Sequence, residues 1–356
     1  MSALFWFIIF AHSVLLINAM ANALHFGLSS SSTGDYSGSL PFVSVLVPAR
    51  NEELNLPRLL QSFLAQDHPN AELIVYDDLS EDRTWDIILQ AQNGRIRGIK
   101  GEDVPDGWLG KTNGCFQLSQ AAQGDIWLFL DADTEFMRPT SLRAMCERFE
   151  QRPPSTILTG MTLLKGRGQI IVTMVGNMIL STMPWWLGKK VPMSLLSGVN
   201  GQCWMISKDE YRRLEPHIEV REEVLEDIMI GRYLHRSGIV PLLDDVRDDV
   251  AVYMYADFAD AWRGFQKNTA FMLGRNWVTS MLSLAIFTMI FLGAPLLWPA
   301  FFLSLYLLKA ITDRVTHQSW LITLAAPISF FLSVLLGLDS IFSRASGNTI
   351  WKGRRV

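Results

Sequence analysis

Residues 3–28, ALFWFIIFAHSVLLINAMANALHFGL, contain no Asp, Glu, Lys or Arg. An uncharged apolar run of this length constrains the fold strongly, because about 20 such residues match the hydrocarbon core of a bilayer. A cleaved secretion signal is the competing reading, but it calls for a basic segment ahead of the apolar run, and there is none. A retained transmembrane helix is expected over 1–28. Comparable runs close the chain. WVTSMLSLAIFTMIFLGAPLLWPAFFLSLYLLKAI (277–311) is uncharged before Lys309, and Pro295 and Pro299 interrupt it, which predicts a two-helix hairpin. WLITLAAPISFFLSVLLGL (320–338) is another expected span. Any one of these could be a buried helix of a soluble protein, but three in series argue for a membrane. Transmembrane helices are therefore expected over 276–342, followed by a basic tail over 343–356 that carries Arg344, Lys352, Arg354 and Arg355.

The texture between these runs is different. SSSSTGDYSGS reads as a flexible linker over 29–40. From 41 to 275 short β-branched runs, FVSVLV (42–47), ELIVYD (72–77) and IWLFLD (126–131), alternate with helical patterns at 53–66 and 82–92. This alternation predicts an α/β domain with a mostly parallel central sheet and helices on both faces. Ligands of such sheets bind at the carboxyl ends of the strands, where the polar clusters of this sequence fall. A weaker apolar stretch, IIVTMVGNMILSTMPWWLG, is followed by Lys189 and Lys190. With Trp185 and Trp186 it predicts a segment lying in the membrane interface over 170–190, a core helix being the alternative. The net charge of −4 argues against a nucleic-acid partner. Three cysteines, Cys115, Cys146 and Cys203, have neither disulfide-frame nor zinc-site spacing.

The stretch LFLDADTEF (128–136) carries the first chemical signal. An apolar strand stops at Asp131, and Asp133 follows after one small residue. In an extended segment alternate side chains point the same way, so both carboxylates could face one point. Two such charges repel unless a cation lies between them, and Mg²⁺ or Mn²⁺ bound by carboxylates keeps positions open for phosphate oxygens. The pair alone is a weak signal, but its company is not. VPARNEE (47–53) follows the first strand, DDLSEDRT (77–84) follows the second, GWLGKTNG (107–114) precedes the third, and LEDIMIGRYLHRSG (225–238) comes later.

Over residues 42–275 these motifs, in this order, resemble the family 2 glycosyltransferases of the GT-A fold, which use nucleotide-diphosphate sugars. The apolar ends resemble the membrane-bound, lipid-modifying members that act on carotenoid acids or accompany hopanoids. The resemblance implies roles. Pro48, Ala49 and Arg50 would form the turn lying against the nucleotide, and Glu52 would hold its ribose or base edge. Asp77 or Asp78 would accept a hydrogen bond from a uracil N–H, although the same segment also reads as an Asx turn and helix cap. Lys111 would reach the nucleotide or its phosphates from a glycine-rich loop. Asp131 and Asp133 would hold the divalent metal and the donor. Asp227, or less simply Glu226, would be the general base, although both also suit the first turn of a helix. A single base without a paired nucleophilic carboxylate implies inversion at the anomeric carbon. The processive members' Gln/Arg-x-x-Arg-Trp motif is missing from AWRGFQKNTAFMLGRNW (261–277), which favours transfer of one sugar.

These implications describe an enzyme anchored in the cytoplasmic membrane, with a catalytic domain facing the cytosol, a nucleotide-sugar donor and a lipid acceptor. A polysaccharide synthase and a non-catalytic nucleotide-sugar-binding membrane protein are the alternatives. Three spans after the domain would leave the tail outside the cell, whereas its positive charge calls for the cytosol.

Overall fold

The computed structural model describes residues 2–29, 39–191, 193–347, 350–351 and 354–355. The expected linker, apart from its ends, and residues 348–349, 352–353 and 356 of the basic tail lie outside them. The chain divides into two compact units. One comprises Ser30–Leu164 and Gly188–Tyr253, the other Met1–Ser29, Lys165–Leu187 and Met254–Val356.

The first unit is built on a seven-stranded sheet. Its strands are β1 (Val43–Ala49), β2 (Ala71–Asp77), β3 (Ile96–Lys100), β4 (Ile126–Leu130), β6 (Thr156–Met161), β8 (Cys203–Ser207) and β9 (Val240–Asp245), in the order β3-β2-β1-β4-β8-β6-β9. β1 pairs in parallel with β2 and β4, β2 with β3, and β6 with β9. β8 is antiparallel to both β4 and β6, so the sheet is parallel on one side and mixed on the other. A small second sheet joins β5 (Thr134–Phe136), β10 (Val250–Tyr253) and β7 (Leu163–Lys165).

The strands are apolar on both faces because helices cover both. On β1, Val43, Val45, Val47 and Ala49 enter one core and Leu46 the other, the period of two that a pleated strand imposes. The first core is closed by α2 (Leu56–Leu64), α3 (Thr84–Ala91) and α5 (Ser141–Glu150). In α2, Leu56, Leu59, Leu60 and Phe63 form the buried stripe expected of an amphipathic helix, each contributing about 1.5–3 kcal/mol by its burial. The second core is closed by α4 (Gly110–Ala121), α7 (Lys208–Leu214), α8 (Pro216–Glu219) and α9 (Glu226–Arg236).

The expected glycine-rich loop around Lys111 is the start of α4, not a loop. Gly114 makes the helix possible at this place: a Cβ there would lie 3.0 Å from Tyr76 Cδ1 and 3.4 Å from Pro48 Cβ, so the helix packs directly on the ends of β1 and β2. Asp131 and Asp133 are likewise not on an extended segment. The amide and hydroxyl of Thr134 both donate to the Asp131 carbonyl, at 3.3 and 2.8 Å, which folds 131–134 into a turn. Pro48 and Ala49 are the last residues of β1, and only Arg50 lies beyond it.

The second unit is helical. It contains α1 (Ala3–Ser29), α6 (Gln169–Thr182), α10 (Phe258–Leu273), α11 (Trp277–Thr288), α12 (Ala294–Leu297), α13 (Phe301–Val315), α14 (Trp320–Leu324) and α15 (Ala326–Ala345). Among the described residues, four stretches are long and apolar enough to cross a membrane: Ala3–Gly27, Gln169–Lys190, Trp277–Leu297 and Ala326–Ala345. The second of these covers the stretch expected in the membrane interface, 170–190. Its helix ends where Asn22 of α1 caps the carbonyls of Leu180 and Met183, at 2.7 and 2.8 Å.

The C-terminal helices depart from the expected hairpin plus span. Pro295 does not end its helix. A π-helical turn, Met289–Gly293, precedes it and absorbs the missing N–H, and the break falls at Trp298–Ala300 beside Pro299. Pro327 starts a helix instead of interrupting one, which moves the last long apolar helix from 320–338 to 326–345. That helix ends where α11 begins: Arg344 donates to the carbonyls of Gly274 and Arg275 at 2.9 and 2.7 Å. Within α15, Asp339 accepts from Trp262 Nε1 and Gln266 Nε2 of α10, at 2.7 and 2.8 Å. Trp262 and Gln266 thus serve helix packing.

Candidate active site

Parallel strands β1, β2 and β4 end on one edge of the sheet, and the motifs follow from there. Past β1, the Arg50 guanidinium donates to the carbonyls of Asp78 and Leu79, at 2.7 and 2.9 Å, and to Glu81 at 3.2 Å. Arg50 therefore braces the loop after β2. Asn51 and Leu79 take positive φ, 53° and 52°, in this pair of interlocked loops. Glu52 accepts from Asn55 at 2.9 Å. Asp82, just ahead of α3, accepts from the Thr84 amide at 2.9 Å, while Ser80 accepts from the Asn51 amide. Asp77 and Asp78 are 1% and 6% exposed. Asp77 Oδ1 is buried and meets no hydrogen-bond donor among the described residues, which suits a carboxylate that receives its donor from a ligand.

A separate recess is lined by Pro48, Lys111, Asp131, Gly201, Glu226 and Asp227, with Cys115, Phe129, Trp204 and His217 among its other walls. It gathers residues from the end of β1, the first turn of α4, the turn after β4, the loop before β8 and the first turn of α9. Ala49, Arg50, Glu52, Asp77, Asp78 and Asp133 are not among its lining residues.

Lys111 is the electrostatic centre of the recess. Its ammonium lies 2.8 Å from Asp131 Oδ1 and 3.2 Å from Glu226 Oε1. Burial pulls its pKa down, but the two carboxylates outweigh burial and hold it well above the usual lysine value. Asp227 is left without such a bond. Its Oδ1 accepts from the Ile228 amide at 2.7 Å. Burial, and after it the charge of Glu226, push its pKa up to about 6 against the pull of Lys111. A carboxylate poised there is suited to proton abstraction near neutral pH. Gly201 keeps the space before it open: a Cβ would stand 3.4 Å from Asp227 Oδ2 and 3.5 Å from Lys111 Nζ.

Sequence reasoning missed His217 altogether. It lines the recess from α8 and its Nδ1 lies 2.6 Å from the Tyr211 hydroxyl. Burial, with Lys111 adding to it, lowers its pKa to about 3. Nothing local in EPHIEV marks it. The glycine of SGVNGQCW was a legible sign that a backbone approaches a ligand there.

The oxygen ligands at Asp131 and Asp133 suit a hard divalent cation. Among the described residues no three acidic, His or Cys side chains are grouped to hold one. A divalent ion held by Asp131 and Asp133 would have to take its other ligands from a diphosphate and water, as Mg²⁺ and Mn²⁺ do.

Residues 44–209 match the profile of glycosyl transferase family 2. The chain is 26% identical over 237 residues to a 4,4'-diaponeurosporenoate glycosyltransferase of Staphylococcus haemolyticus, covering 64% of this chain and 61% of that protein. A Staphylococcus aureus enzyme of the same name is 25% identical over 235 residues, covering 64% and 60%. The chain thus spans about three-fifths of the length of these relatives. Among solved structures, the mannosyltransferase PcManGT from Pyrobaculum calidifontis, in complex with GDP-Man and Mn²⁺, superposes with a TM-score of 0.52 at 15% identity, covering 96% of this chain and 98% of that one. Residues 44–209 are thus identified as a glycosyl transferase family 2 domain, and the sheet order and the solved structure agree on a GT-A-type fold.

Proposed function

We propose that this chain is a membrane-bound inverting glycosyltransferase that moves one sugar from a nucleotide-diphosphate sugar, a UDP-sugar, to a lipid acceptor. The observation that carries the reading is the convergence of Lys111, Asp131, Glu226 and Asp227 on one recess beside the ends of β1 and β4. The acceptor hydroxyl oxygen bonds to the anomeric carbon from the face opposite the diphosphate. The bond from that carbon to the diphosphate oxygen breaks, and the hydroxyl proton passes to Asp227. Asp227 fits this role better than Glu226, whose carboxylate is tied to Lys111 at 3.2 Å. Asp77 or Asp78 receives the base N–H, while Arg50 and Glu52 shape the nucleotide loop with Pro48 and Ala49. Asp131 and Asp133 would hold Mg²⁺ or Mn²⁺, which would supply charge neutralisation for the departing diphosphate. The similarity to a mannosyltransferase in complex with Mn²⁺ supports this.

The long apolar helices support anchorage in the membrane, with the sheet domain on the cytosolic side where nucleotide sugars are made. The basic tail favours the same side. The antiparallel run of α11 and α15 agrees, because the chain leaves α15 at the end where it enters α11. An acceptor dissolved in the bilayer is then the economical one, and the names of the staphylococcal relatives are compatible with it.

The direct test is sugar transfer by the detergent-solubilised chain, with host lipid extract, Mn²⁺ and a panel of radiolabelled nucleotide sugars, run beside Asp227→Asn. Label entering the organic phase with wild type alone supports donor, base and acceptor class together. Label in a water-soluble polymer points to the synthase reading. Nucleotide binding without transfer or hydrolysis overturns catalysis.

A further inference from the structure

Asp131, assigned above to the divalent cation, is already engaged by a cation that the chain itself supplies. The Lys111 ammonium bonds Asp131 Oδ1 at 2.8 Å and Glu226 Oε1 at 3.2 Å. Three elements meet at this nitrogen: α4 provides Lys111, the turn after β4 provides Asp131, and α9 provides Glu226. Asp227 lines the same recess, so three carboxylates share it with one ammonium. The position that a Gly201 Cβ would take is 3.5 Å from Lys111 Nζ and 3.4 Å from Asp227 Oδ2, so ammonium and free carboxylate border the same small space.

We propose that Lys111 is a built-in counterion that competes with the divalent metal for Asp131, so that the metal binds together with the nucleotide diphosphate and not ahead of it. The inference rests on the metal assignment to Asp131 made above. The physical reason is charge. With no diphosphate present, an ion reaching Asp131 must displace the ammonium already bonded to its Oδ1 or lie against it, and two cations in contact repel. A diphosphate brings enough negative charge to accommodate both. The ammonium then remains beside the departing group, and Glu226 is the positioning residue that keeps hold of it when Asp131 turns to the metal.

The test measures Mn²⁺ binding to the full chain in detergent, from the electron paramagnetic resonance signal of free Mn²⁺, with and without UDP. Wild type is expected to bind Mn²⁺ about tenfold more weakly without UDP than with it, an ordinary size for coupling between ligands. Lys111→Met is expected to bind Mn²⁺ more tightly than wild type without UDP and to lose most of the gain from UDP. Lys111→Gln, which keeps a hydrogen-bond donor for Asp131, serves if the Met variant fails to fold. Lys111→Arg, which keeps the charge, is expected to follow wild type. Unchanged Mn²⁺ affinity in both neutral variants, with UDP-dependent Mn²⁺ binding intact in wild type, overturns the inference and leaves the metal assignment standing. No Mn²⁺ binding by wild type even with UDP overturns the metal assignment, and the inference with it.

Discussion

At the scale of single residues, the recess depends on what is missing at 201 and on what is kept uncharged at 217. A methyl group at Gly201 would meet Asp227 Cβ at 3.2 Å and Lys111 Nζ at 3.5 Å, inside the space where a reacting hydroxyl must stand. Gly201→Ala should therefore lower kcat/KM by about tenfold or more while leaving the melting temperature nearly unchanged, since small misplacements at a reacting centre are costly. Steady-state kinetics beside a thermal melt would check it. His217 gives a prediction about acid. Its folded-state pKa of about 3 lies below the ordinary 6.5, so as pH falls the unfolded chain takes up the proton first. The neutral imidazole's contribution is complete above pH 6.5 and is lost as pH drops toward 3. The slope is about 1.4 kcal/mol per pH unit for one group. His217→Asn should flatten the acid side of a stability profile of the solubilised chain. A profile parallel to wild type would count against this account.

At the scale of elements, α9 is held by contact between two glycines. A Cβ on Gly231 would lie 2.3 Å from Gly198 Cα and 2.4 Å from its carbonyl carbon, both of them backbone. Gly231→Ala must push α9 off the loop that carries Gly201. The expected cost is about 1–3 kcal/mol of stability, the usual range for overpacking. Transfer should fall too, because Glu226 and Asp227 ride on the same helix. A variant that melts like wild type would show that the loop yields instead. Local pattern and tertiary setting part company at α4. GWLGKTNG reads as a loop because its glycines are poor helix formers. The segment is helical because Gly114 lets it lie against Tyr76 and Pro48, a partner no local window contains. The acidic pair at 131 and 133 is a similar case: its spacing suggests a shared face, and Thr134 turns it into a bend.

At the scale of the whole molecule, the charge of the tail and the count of apolar runs disagree in the sequence, and the described helices offer an even count instead. Among the described residues after 276, two helical stretches are long and apolar enough to cross, Trp277–Leu297 and Ala326–Ala345. α13, between them, carries Lys309 and Asp313 paired to each other and buried, with Lys309 also bonded to Thr173 at 3.1 Å. An even number of crossings returns the chain to the side it left. A cysteine placed at Ser346 should therefore react with a membrane-impermeant maleimide only after the cells are opened. The three native cysteines are buried and should stay silent. Labelling of intact cells would refute this topology.

The sequence by itself determined what depends on neighbours along the chain. Strands β1, β2 and β4, helices α2 and α3, the long apolar helices and the acidic and basic motifs at the strand ends follow from short-range periodicity and hydropathy. The tertiary structure decided what depends on residues far apart in sequence. Lys111 is tied to Asp131 and Glu226, His217 joins their recess, and Trp262 and Gln266 are spent on Asp339. A side chain's chemistry is legible in the sequence, but its partner is set by packing, and at this site the partners decide which carboxylate is held by a cation and which is left to take a proton.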